Sequence, residues 1–331
     1  VLITRAGKPI LSRAHGWADL EHQVANTTQT KFRIGSVTKQ FTAMAILILH
    51  ERGKLRLTDP IASYIPNSPD AWSDISIHHL LTHTSGIMHS WKLPNWRDTM
   101  MEPATLTETI DRFRDQPLEF TPGESFAYSG VGYFILALII EHVSGKPYGD
   151  FLHEAIFAPL GMRNTGADHY KPVLSHRATG YVWAEAELAH APPIFMPILT
   201  GGGNLYSTVE DLTVWDQALG EKRLISDALY ERMYTPVRNN YAYGWKIQER
   251  FGLKEISHGG WVLGSRALIL RYPEERVCIV VLTNADHSRK HRGPMRPLSG
   301  RATEHPHSWT KEAHPWADLA AIVFGNPPIG R

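Results

Sequence analysis

Strand-like sequence stands at both ends of this chain, and that placement limits the fold more than any single motif. Toward the C-terminal side, "SRALILRYP" and "RVCIVVLTN" are two apolar runs joined by a short Pro-Glu-Glu turn, a hairpin pattern. At the opposite end, "VLITRAGKPILSRAHGWA" reads as two strands around the turn Ala6-Gly7-Lys8. Between them lies mostly helix and loop. The economical solution is one antiparallel sheet assembled from both ends, with helices packed on it. The fold class expected is therefore α+β: a sheet built from both chain ends, flanked by helices, with a mainly helical second region. The division that follows is a discontinuous sheet region, 1–54 with 195–331, and a mainly helical region, 55–194. A length of 331 residues suits one large or two intimate domains.

Three helices are legible in detail. Ser36 to Arg52 is the first, with Gly53 as its stop and Asp59-Pro60 beyond. "GVGYFILALIIEHVSG" is the second, closed by Gly145 and followed by Pro147. "YSTVEDLTVWDQAL" is the third, and its spacing predicts a capping box in which Ser207 accepts from the backbone N–H of Glu210. Asp286 to Pro315 is rich in His, Arg, Pro and Ser without periodicity, and reads as a surface loop or insertion before a last helix, "ADLAAIVFG".

Composition removes several function classes. The 34 basic and 33 acidic residues leave a net charge of +1, which gives no surplus for a nucleic-acid partner. No run approaches the ~18 apolar residues of a membrane span. The one cysteine, Cys278 in "RVCIVVL", excludes an intrachain disulfide and reads as a buried strand residue. The sequence opens directly in strand-like residues with no leader pattern, as though upstream residues were missing, and a targeting segment there would be compatible.

The chemistry starts at "RIGSVTKQFTAMAILIL". Ser36 and Lys39 are three residues apart, so a helix puts them on one face. A serine hydroxyl is a weak nucleophile until a base takes its proton. A lysine serves as that base only when burial or cationic neighbours lower its pKa, and the apolar run from Phe41 to Leu49 supplies burial. A helix start also favours negative charge developing on the serine oxygen. Ser-x-x-Lys alone is a weak pattern; its apolar sequel strengthens it. Tyr128, in the Pro/Gly loop "TPGESFAYSGVGYF", is placed to relay a proton. In "SHGGWVLGSRALIL", His258-Gly259-Gly260 directly precedes a strand, and the two glycines admit a close approach to a ligand. There the backbone N–H of Trp261 would complete an oxyanion hole with that of Ser36.

Taken together, Ser36-x-x-Lys39, Tyr128-Ser129-Gly130 and His258-Gly259-Gly260 resemble the serine β-lactamase and penicillin-binding protein superfamily. The resemblance is strongest to the branch of class C β-lactamases, D-aminopeptidases and β-lactamase-fold esterases. "FRIGSVTKQFTA", "LLTHTSGI", "FTPGESFAYS", "FAPLGMRNT" and "GGGNLYSTVEDL" extend it over most of Arg33 to Asn284. The resemblance implies a β-lactamase/transpeptidase-like fold and an acyl-enzyme on Ser36. Lys39 and Tyr128 would share the proton work, and Ser129, Gly130, His258, Gly259 and Gly260 would line the substrate. It implies no cofactor and no metal, a small ester, amide or peptide as substrate, and a periplasmic or secreted setting.

Two positions depart from the superfamily's pattern. The second motif ends in Gly130, where β-lactam-hydrolysing relatives carry an asparagine amide. The third is His258-Gly259-Gly260 in place of Lys-Thr-Gly. Both changes favour an ester or small amide over a β-lactam. The alternatives are a class C-like β-lactamase or DD-peptidase, a non-catalytic penicillin- or peptidoglycan-binding module, and a zinc hydrolase using His79 and His83 at i, i+4. The zinc-protease glutamate is missing from that last pattern, and no third ligand is suggested. His287, His291, His305, His307 and His314 offer adventitious metal binding at most.

Overall fold

The structure, a computed structural model, describes residues 1–169, 171–184, 187–286, 319–320 and 322–325. Its centre is a six-stranded antiparallel sheet. Strands β1 (Leu2–Arg5) and β2 (Lys8–Ser12) come from the N-terminal side. Strands β3 (Lys246–Arg250), β4 (Leu253–Val262), β5 (Ser265–Tyr272) and β6 (Val277–Thr283) come from the C-terminal side. The spatial order is β3-β4-β5-β6-β1-β2, so β1 docks on β6 with Leu2 opposite Val280 and Arg5 opposite Val277. The expectation of one sheet built from both chain ends holds. The β1–β2 turn has Ala6 and Gly7 at φ 50° and 75°, the mirror-image turn that matches strand twist.

Strand β6 is a continuous apolar run because both of its faces are covered. Cys278, Val280 and Leu282 join the main core, while Val277, Ile279 and Val281 face a second core with Leu319, Val323 and Phe324. Cys278 is fully buried in its strand, and burial raises its thiol pKa well above the ordinary value.

Helix α1 (Thr38–Glu51) is buried from Thr38 through Leu49. It packs on helix α2 (Gly130–Ser144), whose apolar residues occupy nearly every side. A helix apolar all round belongs inside a core. Each fully buried Ile or Leu of α2, such as Ile135, Leu136, Ile139 and Ile140, contributes roughly 1.5–3 kcal/mol. Gly145 ends α2 in the left-handed conformation at φ 68°. Helix α3 (Val209–Gly220) packs against β6 and β1.

Three local expectations need correction. The capping residue of α3 is Thr208, which accepts from the N–H of Asp211 at 3.1 Å; Ser207 is one residue early. Ser207 is in a short strand, bonded to Thr165 Oγ1 at 2.7 Å, and Glu210 accepts from Thr28 at 2.5 Å. His258-Gly259-Gly260 do not precede a strand but lie inside the ten-residue β4. Asp286 belongs to a two-residue strand paired with Tyr181–Ala184, not to a loop. Residues 287–315 of the expected loop lie outside the described residues, as do the five histidines named there. Of the last helix, Leu319, Ala320, Ile322 and Val323 are helical.

One contact positions everything that follows. Strand β4 pairs with β3 only up to Ser257. Beyond that point its free edge receives the 3₁₀ turn Gly35–Val37, which runs directly into α1. A Cβ added at Gly260 would lie 1.8 Å from the Ile34 carbonyl oxygen, and one at Gly35 would lie 2.6 Å from Trp261 N. Both are backbone clashes that no rotamer relieves. Gly260→Ala is therefore expected to cost about 1–3 kcal/mol in urea unfolding. Gly220→Ala, where a Cβ meets nothing within 4 Å, should stay within ~0.5 kcal/mol of the parent.

Candidate active site

Ser36 is the middle residue of the 3₁₀ turn, and Lys39 lies in the first turn of α1. The three-residue spacing brings Lys39 Nζ to 3.1 Å from Ser36 Oγ. The amine also donates to the Gly202 carbonyl at 2.7 Å. Among the described residues no carboxylate forms an ion pair with it. Lys39 is only 2% exposed, and burial pulls its pKa from 10.5 down to about 7. The rings of Tyr128 and Tyr133, with centroids 5.0 and 5.3 Å from Nζ, favour the cation. Desolvation outweighs them. Near neutral pH a substantial fraction of the amine is therefore uncharged, and its lone pair can take the proton of Ser36.

Burial raises the phenol pKa of Tyr128, and the neighbouring Ser36 hydroxyl draws it part of the way back. Burial is the larger effect, so the phenol titrates well above its ordinary range. Tyr128 is a neutral O–H at neutral pH. That suits passing a proton onward and does not suit acting as a phenolate base. Of these two groups, only Lys39 is available to take a proton near neutral pH.

Tyr128 is held by aromatic neighbours. The His83 ring packs at 4.2 Å on it, and His89 stacks at 5.9 Å with 22° between planes. His83 Nδ1 accepts from the N–H of Ser129 at 3.2 Å, which fixes the strand-like residue before α2. His79 works elsewhere, its Nδ1 accepting from the N–H of Ser76 in the capping box of helix Ile77–Leu81. The two histidines considered as a zinc pair thus serve different ends of one short helix.

The remaining expected residues divide. The backbone nitrogens of Ser36 and Trp261 come from the two segments pressed together by Gly35 and Gly260; a Cβ at Gly260 would lie 3.2 Å from Ser36 N. An oxyanion hole needs two backbone N–H groups from adjoining segments, and these segments adjoin. Gly130 opens α2 beside the site, and Gly259 is in β4. Ser129 is turned inward, 1% exposed, with its hydroxyl donating to the Met88 carbonyl at 3.0 Å. His258 is also inward. Its Nδ1–H donates to Gly259 O at 2.6 Å, and its Nε2 accepts from the Tyr241 hydroxyl at 2.9 Å. Burial, assisted by Lys39, lowers its pKa to about 3, so the imidazole carries no charge.

Sequence reasoning misses several supporting residues. Gly202 anchors the lysine, and the triple glycine Gly201–Gly203 is the available clue. A Cβ at Gly201 would lie 2.3 Å from Tyr133 O, so that segment passes too close to α2 for a side chain. Tyr241, whose ring packs at 4.6 Å on His83, lies in "NNYAYGW", which has no periodicity to mark it. The Trp261 indole is fixed through Nε1–H to Asp286 at 2.6 Å, a carboxylate also held by Arg266.

Fold and site geometry together define a class, the serine hydrolases of mixed α and β architecture that set a lysine beside the serine. The Beta-lactamase family profile matches residues 1–303, and the chain belongs to that family. Penicillin-binding protein 4* of Bacillus subtilis strain 168 is 30% identical over 314 residues, spanning 88% of this chain and 69% of that protein. The chain spans 61% and 59% of the length of two further curated relatives. The octameric penicillin-binding protein homologue from Pyrococcus abyssi superposes with TM-score 0.79 at 28% identity, covering 99% of this chain and 73% of that one. D-amino acid amidase from Ochrobactrum anthropi SV3, at 24% identity and TM-score 0.74, shares the fold over 86% of this chain and 85% of its own.

Two measurements test the electrostatics. If neutral Lys39 is the base, kcat/KM for an ester should rise with pH through about 7 and then level. A profile flat from pH 5 to 9 would exclude it. The same depressed pKa affects stability. Between about 7 and 10.5 the unfolded chain holds a proton on Lys39 that the folded chain lacks, so stability rises with pH there. Below that window the burial cost is present in full. The stability gained by Lys39→Met over the parent should therefore be largest on the acid side and shrink toward pH 10, as read from urea midpoints.

Proposed function

We propose that the chain hydrolyses small esters and amides through an acyl-enzyme on Ser36. The observation that carries this reading is the buried Lys39, with a pKa near 7, 3.1 Å from the serine hydroxyl. In the proposed sequence Ser36 Oγ attacks the substrate carbonyl while its proton passes to Lys39. The developing oxyanion is held by the N–H groups of Ser36 and Trp261. Tyr128 passes a proton to the leaving group and is replenished by Lys39. Water then repeats the path and frees the acid.

The residues around the serine favour esters and simple amides over β-lactams. A β-lactam brings a carboxylate, and His258 is neutral with both ring nitrogens engaged. Gly130 brings no side-chain amide. Each missing partner costs roughly 1–3 kcal/mol in a buried site, so two would slow turnover by about one to four orders of magnitude. The name of the Bacillus subtilis relative supports a second reading, slow capture of penicillins by the same serine.

A fluorophosphonate probe should label the parent and not Ser36→Ala, and ester hydrolysis should fall by several orders of magnitude in that variant. Catalytic efficiency should be higher for p-nitrophenyl butyrate than for nitrocefin. Faster turnover of nitrocefin than of every ester and small amide tried would reverse the assignment of substrate.

A further inference from the structure

The glycine segment that anchors Lys39 has no side chains with which to hold itself. A Cβ at Gly201 would lie 2.3 Å from Tyr133 O, and one at Gly202 would lie 2.7 Å from Phe134 Cε1, so the segment is pressed against α2. Glycine peptides turn readily about their own bonds, and the direction of each carbonyl is set by whatever bonds to it. Two side chains of α1, at i and i+3 on one face, do so. Lys39 Nζ donates to Gly202 O at 2.7 Å, and Thr42 Oγ1 donates to Gly201 O at 2.6 Å.

The threonine is directed in its turn. Its Oγ1 lies 2.7 Å from the hydroxyl of Tyr148, in helix Tyr148–Leu152, and 3.4 Å from the Thr38 carbonyl. A hydroxyl has one hydrogen to give. The Gly201 carbonyl, the nearer acceptor, takes the hydrogen of Thr42, so Tyr148 is the donor in the pair of hydroxyls. Both side chains are buried, and burial keeps the Tyr148 phenol protonated. The bonds therefore run one way, from Tyr148 to Thr42 to Gly201, and end one peptide before the carbonyl that Lys39 grips.

That grip bears on the chemistry because a neutral amine has two N–H bonds and one lone pair. Giving one N–H to Gly202 orients the amine and leaves the lone pair for Ser36 Oγ, 3.1 Å away. The titratable groups that face the amine are Tyr128 before α2, Tyr133 of α2 and His258 of β4, and all three are uncharged near neutrality. The Gly202 carbonyl is the closer of the two oxygens that the amine meets.

We propose that Thr42 is a positioning residue for Lys39: its hydroxyl, ordered by Tyr148, holds the Gly201 peptide so that the Gly202 carbonyl stays on the lysine amine. This rests on the acyl-enzyme reading above and adds the device that aims its lysine.

The test follows the rate of fluorophosphonate labelling from pH 5 to 9. Thr42→Val puts a methyl group in place of the hydroxyl, and Thr42→Ser keeps the hydroxyl. A loosened carbonyl holds the ammonium less well. The rise in labelling near pH 7 should therefore move down by about one unit in Thr42→Val, a tenfold change in the protonation equilibrium, and the plateau should fall about tenfold. Thr42→Ser should leave both close to the parent. Tyr148→Phe lets the Thr42 hydrogen turn to the Thr38 carbonyl, should move the rise the same way, and carries the test if Thr42→Val does not fold. A plateau that falls while the rise stays in place overturns the proposal, since the hydroxyl would then act on structure alone. So does a Thr42→Ser variant that behaves like Thr42→Val, or an unmoved rise in Tyr148→Phe. A parent that takes no fluorophosphonate overturns the acyl-enzyme reading and the role of Thr42 with it.

Discussion

The seam between the Gly35–Val37 turn and the edge of β4 is the contact on which the rest of the molecule depends. Two glycines on facing backbones, Gly35 and Gly260, let the segments approach within distances that a methyl group would forbid. That approach brings the backbone segments that carry the nitrogens of Ser36 and Trp261 together. It also aims α1 into the core at the angle that sends Lys39 under the serine. The placement of Ser36, Lys39 and the Trp261 nitrogen is thus a consequence of one backbone contact, with side chains added on either side.

Burying a lysine without a carboxylate is costly, and the surroundings offset the cost without restoring the charge. The Gly202 carbonyl, Ser36 Oγ and the faces of Tyr128 and Tyr133 supply weak partners. A carboxylate in their place would stabilise the ammonium and keep the amine charged. The three tyrosines around His83 serve the same end: they are polar enough to orient one another and, with phenol pKa values raised by burial, they stay uncharged near neutrality. His258 belongs to this uncharged shell and does not serve as a cation for substrate.

The sheet from both ends, the two long helices and the three motifs are readable because each rests on a local pattern. Apolar runs with turn residues mark strands, and i, i+3 spacing on a buried helix marks Ser36 and Lys39. What escapes such reading rests on contacts between distant segments. Pattern alone starts the strand after its glycines, because Gly259 and Gly260 read as lying ahead of a strand until the edge they expose is seen to receive another backbone. Ser207 reads as a cap because Ser-x-x-Glu fits as well as the Thr208–Asp211 pair that the fold selects. Tyr241 and Gly202 carry no periodic signature at all.

The order of the central sheet also has a consequence during synthesis. Strand β1 leaves the ribosome well before β6, yet has its place between β2 and β6, and the serine turn waits for the edge of β4. Contacts so distant in sequence form slowly and late. Until the second half of the chain arrives, the serine turn has no Trp261 segment beside it, and Lys39 lacks the carbonyl of Gly202. The acyl-enzyme chemistry proposed for Ser36 therefore has to wait until the sheet closes.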